Sequence, residues 1–303
     1  MPKIFQSLIQ GDFGGDHGNF EAVILESNNL FHWWRDNDDN FNWKHGQVIV
    51  EGQAAGAGSI IQSNFGSGDH GNFEVVVPLF GPNQRIELWH FWHDNSDVNL
   101  PWNRGQRITS DQDNVAGPGA IIQSDFGSDD HGNFEVVVPL IGPGGITELW
   151  HFWHDNSDVN LPWQRGQRIT GDQDNVAGPA SIIQSDFKSD HGNFEVVVPL
   201  HAAEGRIELW HFWHDNADVN LPWGRGQRIS PNVSGPGVII QSDFKNGNHG
   251  NFEVVVPEGN SFVHYWHDNS DVKSALATRT DDHGFRKRLG LPDPEQFWFG
   301  RAR

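Results

Sequence analysis

The chain has 303 residues, with 40 Asp and Glu against 20 Lys and Arg, for a formal net charge of -20. That charge argues against a nucleic-acid backbone as a partner, and the absence of cysteine excludes disulfides and thiolate metal sites. No stretch approaches the length of a membrane span, and the opening MPKIFQSLIQGDF lacks an apolar run long enough for a signal peptide. A cytoplasmic protein, or one exported without a recognisable signal, is therefore expected.

Taken in order, the chain repeats one phrase: HGNFEAVIL from His17, then HGNFEVVVP from His70, His131, His191 and His249. Five copies at such spacing mark five copies of one structural unit. The third unit runs AIIQSDF (120–126), NFEVVVPL (133–140), TELWHFWHDN (147–156) and WQRGQRIT (163–170). These apolar or alternating segments are separated by Gly, Pro, Asp and Asn clusters, so each reads as a strand. Four strands per repeat, set side by side, predict an all-β, five-bladed β-propeller with four-stranded antiparallel blades. One such sheet cannot bury both faces alone, and radial stacking lets each blade supply core to the next. The expected blades of this single domain cover about 4–50, 59–110, 119–170, 180–230 and 237–303. Whether IIQSDF begins a blade or ends one is left open. The last unit lacks the PW..GQRI segment, and its tail FRKRLGLPDPEQFWFGRAR is expected to supply an outer strand or a short helix.

The order IIQSDFG, NFEVVVP, LWHFWHDN, PW..G resembles the blades of bacterial propeller lectins of the Photorhabdus type, and SDFGSDDHGNFEVVV resembles an FG-GAP loop. The first likeness implies sugar binding on a propeller, and the second implies calcium loops. Both groups usually have seven blades, whereas five are counted here.

Within LWHFWHDN, strand alternation puts Trp89, Phe91 and His93 on one face and Leu88, His90, Trp92 and Asp94 on the other. Sugars are held by stacking an apolar C–H face on an aromatic ring while polar side chains bond the hydroxyls. The candidate polar groups are His93, Asp94 and Asn95, with their counterparts His154, Asp155, Asn156, His214, Asp215, Asn216, His267, Asp268 and Asn269. The competing reading makes the tryptophans interblade core and Asp-Asn the following turn. A second candidate set is Trp102 with Arg104, Trp163 with Arg165 and Trp223 with Arg225, with Trp43 as their counterpart in the first unit, where Arg35 stands at the position of His93, His154 and His214. Pro before Trp places this segment at an edge strand, where an exposed Trp near an Arg is a binding candidate. Here the competing reading is an Arg stacked on a blade-edge Trp.

His90 and His93 stand three apart and point to opposite faces of a strand, so they cannot share a metal. The histidine of DHGNFE reads as a turn residue. Asp125, Asp129, Asp130 and Glu135 make calcium possible but not favoured, because they lack the alternating-acid rhythm of a calcium loop. No cofactor is expected. No nucleophile elbow, phosphate loop or dinucleotide fingerprint occurs. A pair such as Glu74 and Asp94 is the kind that acts on a glycoside, yet several near-identical copies suit avidity better than one active centre. The sequence therefore predicts a multivalent lectin for glycans or glycoconjugates, with oligomerisation possible. The alternatives are a glycosidase or lyase with one site where blades 5 and 1 meet, or a protein-interaction scaffold.

Overall fold

The structure is a computed structural model that describes residues 3–13, 16–39, 41–65, 70–126, 131–187, 191–244, 249–269 and 286–288. It is an all-β, five-bladed β-propeller of four-stranded antiparallel blades. Blade 1 comprises β1 (Lys3–Gln10), β2 (Asn19–Glu26), β3 (Asn29–Asp36) and β4 (Trp43–Val50). Blade 2 comprises β5 (Ser59–Ser63), β6 (Asn72–Phe80), β7 (Ile86–Asp94) and β8 (Asn103–Arg107), and blade 3 β9 (Ala120–Gln123), β10 (Asn133–Ile141), β11 (Thr147–Asp155) and β12 (Gln164–Arg168). Blade 4 holds β13 (Ser181–Ser185), β14 (Asn193–His201), β15 (Ile207–Asp215) and β16 (Gly224–Ser230). Blade 5 holds β17 (Val238–Ser242), β18 (Asn251–Glu258), β19 (Ser261–Asp268) and β20 (Arg286–Arg288).

Each blade is a simple meander, so IIQS begins a blade rather than ending one. The tail supplies the outer strand of blade 5, with Arg286–Arg288 pairing against Trp266–His264. Phe297, Trp298 and Phe299, which the sequence marks as packing candidates, lie outside the described residues. The chain divides into two compact units, Met1–Arg168 with blades 1 to 3 and Ile169–Arg303 with blades 4 and 5.

In the first unit the reason for the unbroken VVV run is visible. Val75, Val76 and Val77 are each 0% exposed, because blade 2 has a neighbour on both faces. A strand covered on both faces loses the alternation of a half-buried one, and each such side chain contributes about 1.5–3 kcal/mol relative to exposure. The glutamine of IIQS ties neighbouring blades together: Gln62 accepts from Asp12 N at 2.8 Å and donates to Asp12 Oδ1 and to His70 O. Gln123 repeats this against Asn64, and in the second unit Gln241 repeats it against Asp186. At the HGN turn, Gly71 has φ +56°, and a Cβ there would sit 1.7 Å from Ser63 O, so only glycine fits.

The outer strand carries a bulge. Trp89 pairs with Arg107 and Phe91 with Arg104, so Gly105 and Gln106 together oppose His90. This explains the GQ of the PW..GQRI phrase. A Cβ on Gly105 would meet His90 Nδ1 at 2.7 Å. Gln106, released from the ladder, donates to Val159 O at 3.1 Å and Leu161 O at 2.9 Å of blade 3. Gln47 clamps Val98 O and Leu100 O of blade 2 in the same way.

Candidate functional site

The features that position side chains within the first unit also leave two clefts between blades. One, of about 450 Å³, lies between blades 2 and 3. Blade 2 contributes the His90, Trp92 and Asp94 face of β7, with Asn72 and Glu74 from β6 and the bulge residues Gly105 and Gln106. Blade 3 contributes Phe134, His154, Asn156 and Trp163 from its opposite face, with Val159 at the rim. The second cleft, about 290 Å³, repeats this between blades 1 and 2. There Asn19, Glu21, His32 and Trp34 face Phe73, His93, Asn95 and Trp102. Lys44 Nζ lies 4.3 Å from the Trp34 ring centroid.

The floor of each cleft is a buried carboxylate held by histidine. Glu74 is 1% exposed; its Oε1 accepts from Ser63 Oγ at 3.0 Å and its Oε2 lies 2.7 Å from His90 Nε2. The same pair occurs as Glu21–His32, Glu135–His151, Glu195–His211 and Glu253–His264. Glu74 finds its partners within its own blade, because β5, β6 and β7 lie side by side and bring Ser63 and His90 within its reach. Burial pushes the Glu21 carboxyl above the usual range, against the opposing pull of His32. At the rim, Asp94 is held below the usual carboxylate range by the Ser96 backbone N–H, and Asp155 by the Ser157 side chain. Both stay ionised at neutral pH.

Beside the glutamate sits a second buried polar group. Asn72 is 5% exposed and its Oδ1 has no hydrogen-bond partner; Asn19, Asn133, Asn193 and Asn251 have the same unpartnered oxygen. An unsatisfied buried acceptor costs about 1–3 kcal/mol. Among the described residues Trp102 Nε1 is likewise buried without a partner, a donor in the blade 1–2 cleft.

The sequence-predicted residues divide between cleft and scaffold. His93 and Asn95 line the blade 1–2 cleft, and His154 and Asn156 the blade 2–3 cleft. The histidine rings also hold their own loops, since His93 Nδ1 lies 3.0 Å from Asn95 Oδ1 and Nε2 lies 2.9 Å from Leu100 O. His154 and His214 repeat both contacts, and His267 keeps the one to Asn269. Asp94, Asp155 and Asp215 accept from the backbone two residues on, and of these Asp94 lines the larger cleft. Asn216 and Asn269 donate to the carbonyls of His191 and His249, while Asp268 pairs across the ladder with Asn251.

Trp102 and Trp163 turn into the clefts rather than standing exposed at the edge, and Trp163 is only 9% exposed. Each packs against a histidine of its own blade, His93 or His154, at 5.3 Å, as Trp223 does against His214. Arg104, Arg165 and Arg225 lie over Trp89, Trp150 and Trp210 at 3.7, 3.7 and 3.9 Å. Arg165 also bonds Asp113, and Arg225 bonds Asp174, each at 2.8 Å. None of the three arginines lines either cleft. In blade 1, Arg35 stacks on Phe20 at 4.4 Å and bonds Asn37, and Trp43 pairs with it across β4.

Of the calcium candidates, Asp129 and Asp130 lie outside the described residues, and Glu135 is engaged by Ser124 and His151. Among the described residues no group of three or more His, Asp or Glu side chains is arranged to hold a metal. Sequence reasoning put Trp92 and His90 on the correct shared face but did not single them out. It read the His-Gly-Asn that ends in Asn72 as turn chemistry and gave Asn72 no part in a site, because burial without a partner leaves no mark in a sequence.

The fold and clefts define a β-propeller with aromatic, polar-floored clefts between blades. No protein-family profile matches the chain, and no curated protein matches it in sequence. Solved structures do share its fold. The α-L-arabinanase of Penicillium chrysogenum complexed with arabinobiose is 10% identical, over 90% of this chain and 79% of that one, with TM-score 0.61. The GH93 α-L-arabinofuranosidase of Fusarium graminearum, also with arabinobiose, is 10% identical over 93% and 79%, with TM-score 0.59. The fungal lectin Aleuria aurantia lectin, a six-bladed β-propeller with a fucose recognition mode, is 16% identical over 88% and 77%, with TM-score 0.51.

Proposed function

We propose that the protein is a multivalent carbohydrate-binding protein whose sites are the clefts between blades. The observation that carries this reading is the blade 2–3 cleft, where the half-buried Trp92 stands beside His90, Asp94, Asn72 and Glu74. An aromatic face for sugar C–H groups beside a few fixed polar groups is the chemistry a small-ligand pocket needs. The blade 1–2 cleft repeats it with Trp34, and repetition on one scaffold favours avidity. The ligands of the fold neighbours, arabinobiose and fucose, make neutral sugars the first class to try.

Binding is favoured over turnover by the state of Glu74. Both its oxygens are engaged within its own blade, whereas a general acid must aim its proton at the leaving oxygen. The enzyme alternative rests on blade 1, where burial keeps Glu21 prone to protonation in the blade 1–2 cleft. One experiment addresses both: calorimetric titration with L-fucose, L-arabinose, D-galactose and arabinobiose, with reducing ends assayed in parallel. Saturable binding without product release is expected. Release of reducing sugar would move the reading to a glycosidase, and no binding to any carbohydrate on a glycan array would end it.

A further inference from the structure

Resting on the carbohydrate reading of the clefts, we propose that the asparagine of the HGN turn is their specificity-determining residue, accepting a hydrogen bond from one ligand hydroxyl. Asn72 and Asn19 line the two clefts, are each 5% exposed and carry an Oδ1 with no partner. At Asn19, Asn193 and Asn251 the amide cannot be relieved by turning over. Asn193 and Asn251 donate Nδ2 to Oε1 of Glu195 and Glu253 at 3.2 Å, and the Asn19 side chain likewise bonds Glu21. A carboxylate accepts only, so the NH₂ must face it and the oxygen must face away. The glutamate is itself fixed by serine and histidine. The unpartnered oxygen is therefore a built feature, repeated in all five blades, in a class of group that folded proteins nearly always satisfy.

The donor that completes it is set by the rest of the cleft. Buried Trp102 Nε1 in the blade 1–2 cleft lacks an acceptor. A hydroxyl is the one neutral group that donates and accepts through a single atom, so a polyhydroxylated ligand matches both vacancies. An anionic oxygen has no proton to give Asn72 and would face Glu74 and Asp94 in the same cleft.

The test uses the full chain and calorimetry with methyl L-fucoside, methyl L-arabinoside and methyl D-galactoside, followed by the monodeoxy derivatives of whichever binds. Removing one particular hydroxyl is expected to weaken binding at least tenfold, because the buried acceptor is then left unpaired. Asn72→Leu is expected to lower the number of measured sites by one without lowering Tm. Asn72→Leu with unchanged affinity and stoichiometry overturns the proposal. So does equal binding of every monodeoxy derivative to the wild type, a result that needs no variant and assigns the oxygen to a bridging water only. If no carbohydrate on a glycan array binds the wild type, the carbohydrate reading falls and this proposal falls with it. That failure is distinct from an Asn72→Leu variant that binds normally.

Discussion

His90 Nε2 lies 2.7 Å from Glu74 Oε2, and the pair is sealed beneath a cleft with the carboxylate 1% exposed. Their residues are separated by 16 in sequence and brought together by the β6–β7 ladder. Gly105 makes room for the imidazole and Ser63 holds the other carboxylate oxygen. The blade thus organises its cleft floor around a histidine–glutamate pair, and the predictions below follow from it and its surroundings.

Gly105→Ala is expected to destabilise the protein by about 1–3 kcal/mol, the usual range for overpacking. Its Cβ would meet His90 Nδ1 at 2.7 Å at the bulge. Gly117→Ala, whose nearest neighbour is Pro139 at an ordinary 3.4 Å, serves as the control and should stay within about 0.5 kcal/mol of wild type. Urea denaturation of both variants checks this, and equal midpoints would refute it.

Burial raises the Glu21 carboxyl above its ordinary 4.5. In the window just above that value the folded chain binds a proton that the unfolded chain does not. Stability from this group is therefore fully present below about pH 4.5 and is lost as pH rises through the folded value. Glu21→Gln, which mimics the protonated form, should match wild type most nearly at pH 4 and gain on it in Tm toward pH 7. A variant that falls further behind wild type as pH rises would mean that the attraction to His32 outweighs burial.

The arginines and the cleft aromatics separate cleanly. Replacing Arg104, Arg165 and Arg225 together by Ala should leave sugar affinity within twofold, because these guanidinium groups stack on Trp89, Trp150 and Trp210 and line neither cleft. Loss of Arg104 should cost stability only about 0.5–1 kcal/mol, as for an exposed cation–π contact, and loss of Arg165 or Arg225 about 1–3 kcal/mol more, because buried Asp113 and Asp174 then lose a charged partner. Trp34→Ala with Trp92→Ala should reduce the number of binding sites measured by calorimetry while leaving Tm nearly unchanged. The reverse pattern would relocate the site to the blade edge.

Among the described residues no lysine or arginine lines the blade 2–3 cleft, whereas Glu74 and the ionised Asp94 do. D-galacturonic acid should therefore bind at least tenfold more weakly than D-galactose at pH 7, with the gap narrowing as added salt screens the repulsion. Tighter binding of the uronic acid would contradict the assignment of the clefts as the site.

Much of the architecture was legible because it is local and repeated. The recurring HGNFEVVVP, the strand lengths and the Gly, Pro and Asp punctuation define four strands and a meander per blade. Alternation along LWHFWHDN assigned His90, Trp92 and Asp94 to one face without any tertiary information, and they share the blade 2–3 cleft. The blade 5 outer strand at Arg286–Arg288 was expected only as one of two options, since a short basic segment carries no period of its own.

The tertiary structure alone decided which face of one blade meets which face of the next, and so where a cleft opens. Trp102 reads as an edge residue in sequence, yet it turns inward because the bulge opposite His90 and the Gln47 clamp draw its loop against blade 1. Asn72 reads as turn chemistry, yet among the described residues its buried oxygen is left without a partner, beside a Glu74 carboxylate already held by Ser63 and His90. Spacing records what each strand must bury. Hydrogen-bond satisfaction depends on atoms brought together from three strands and a second blade, and no linear pattern encodes it.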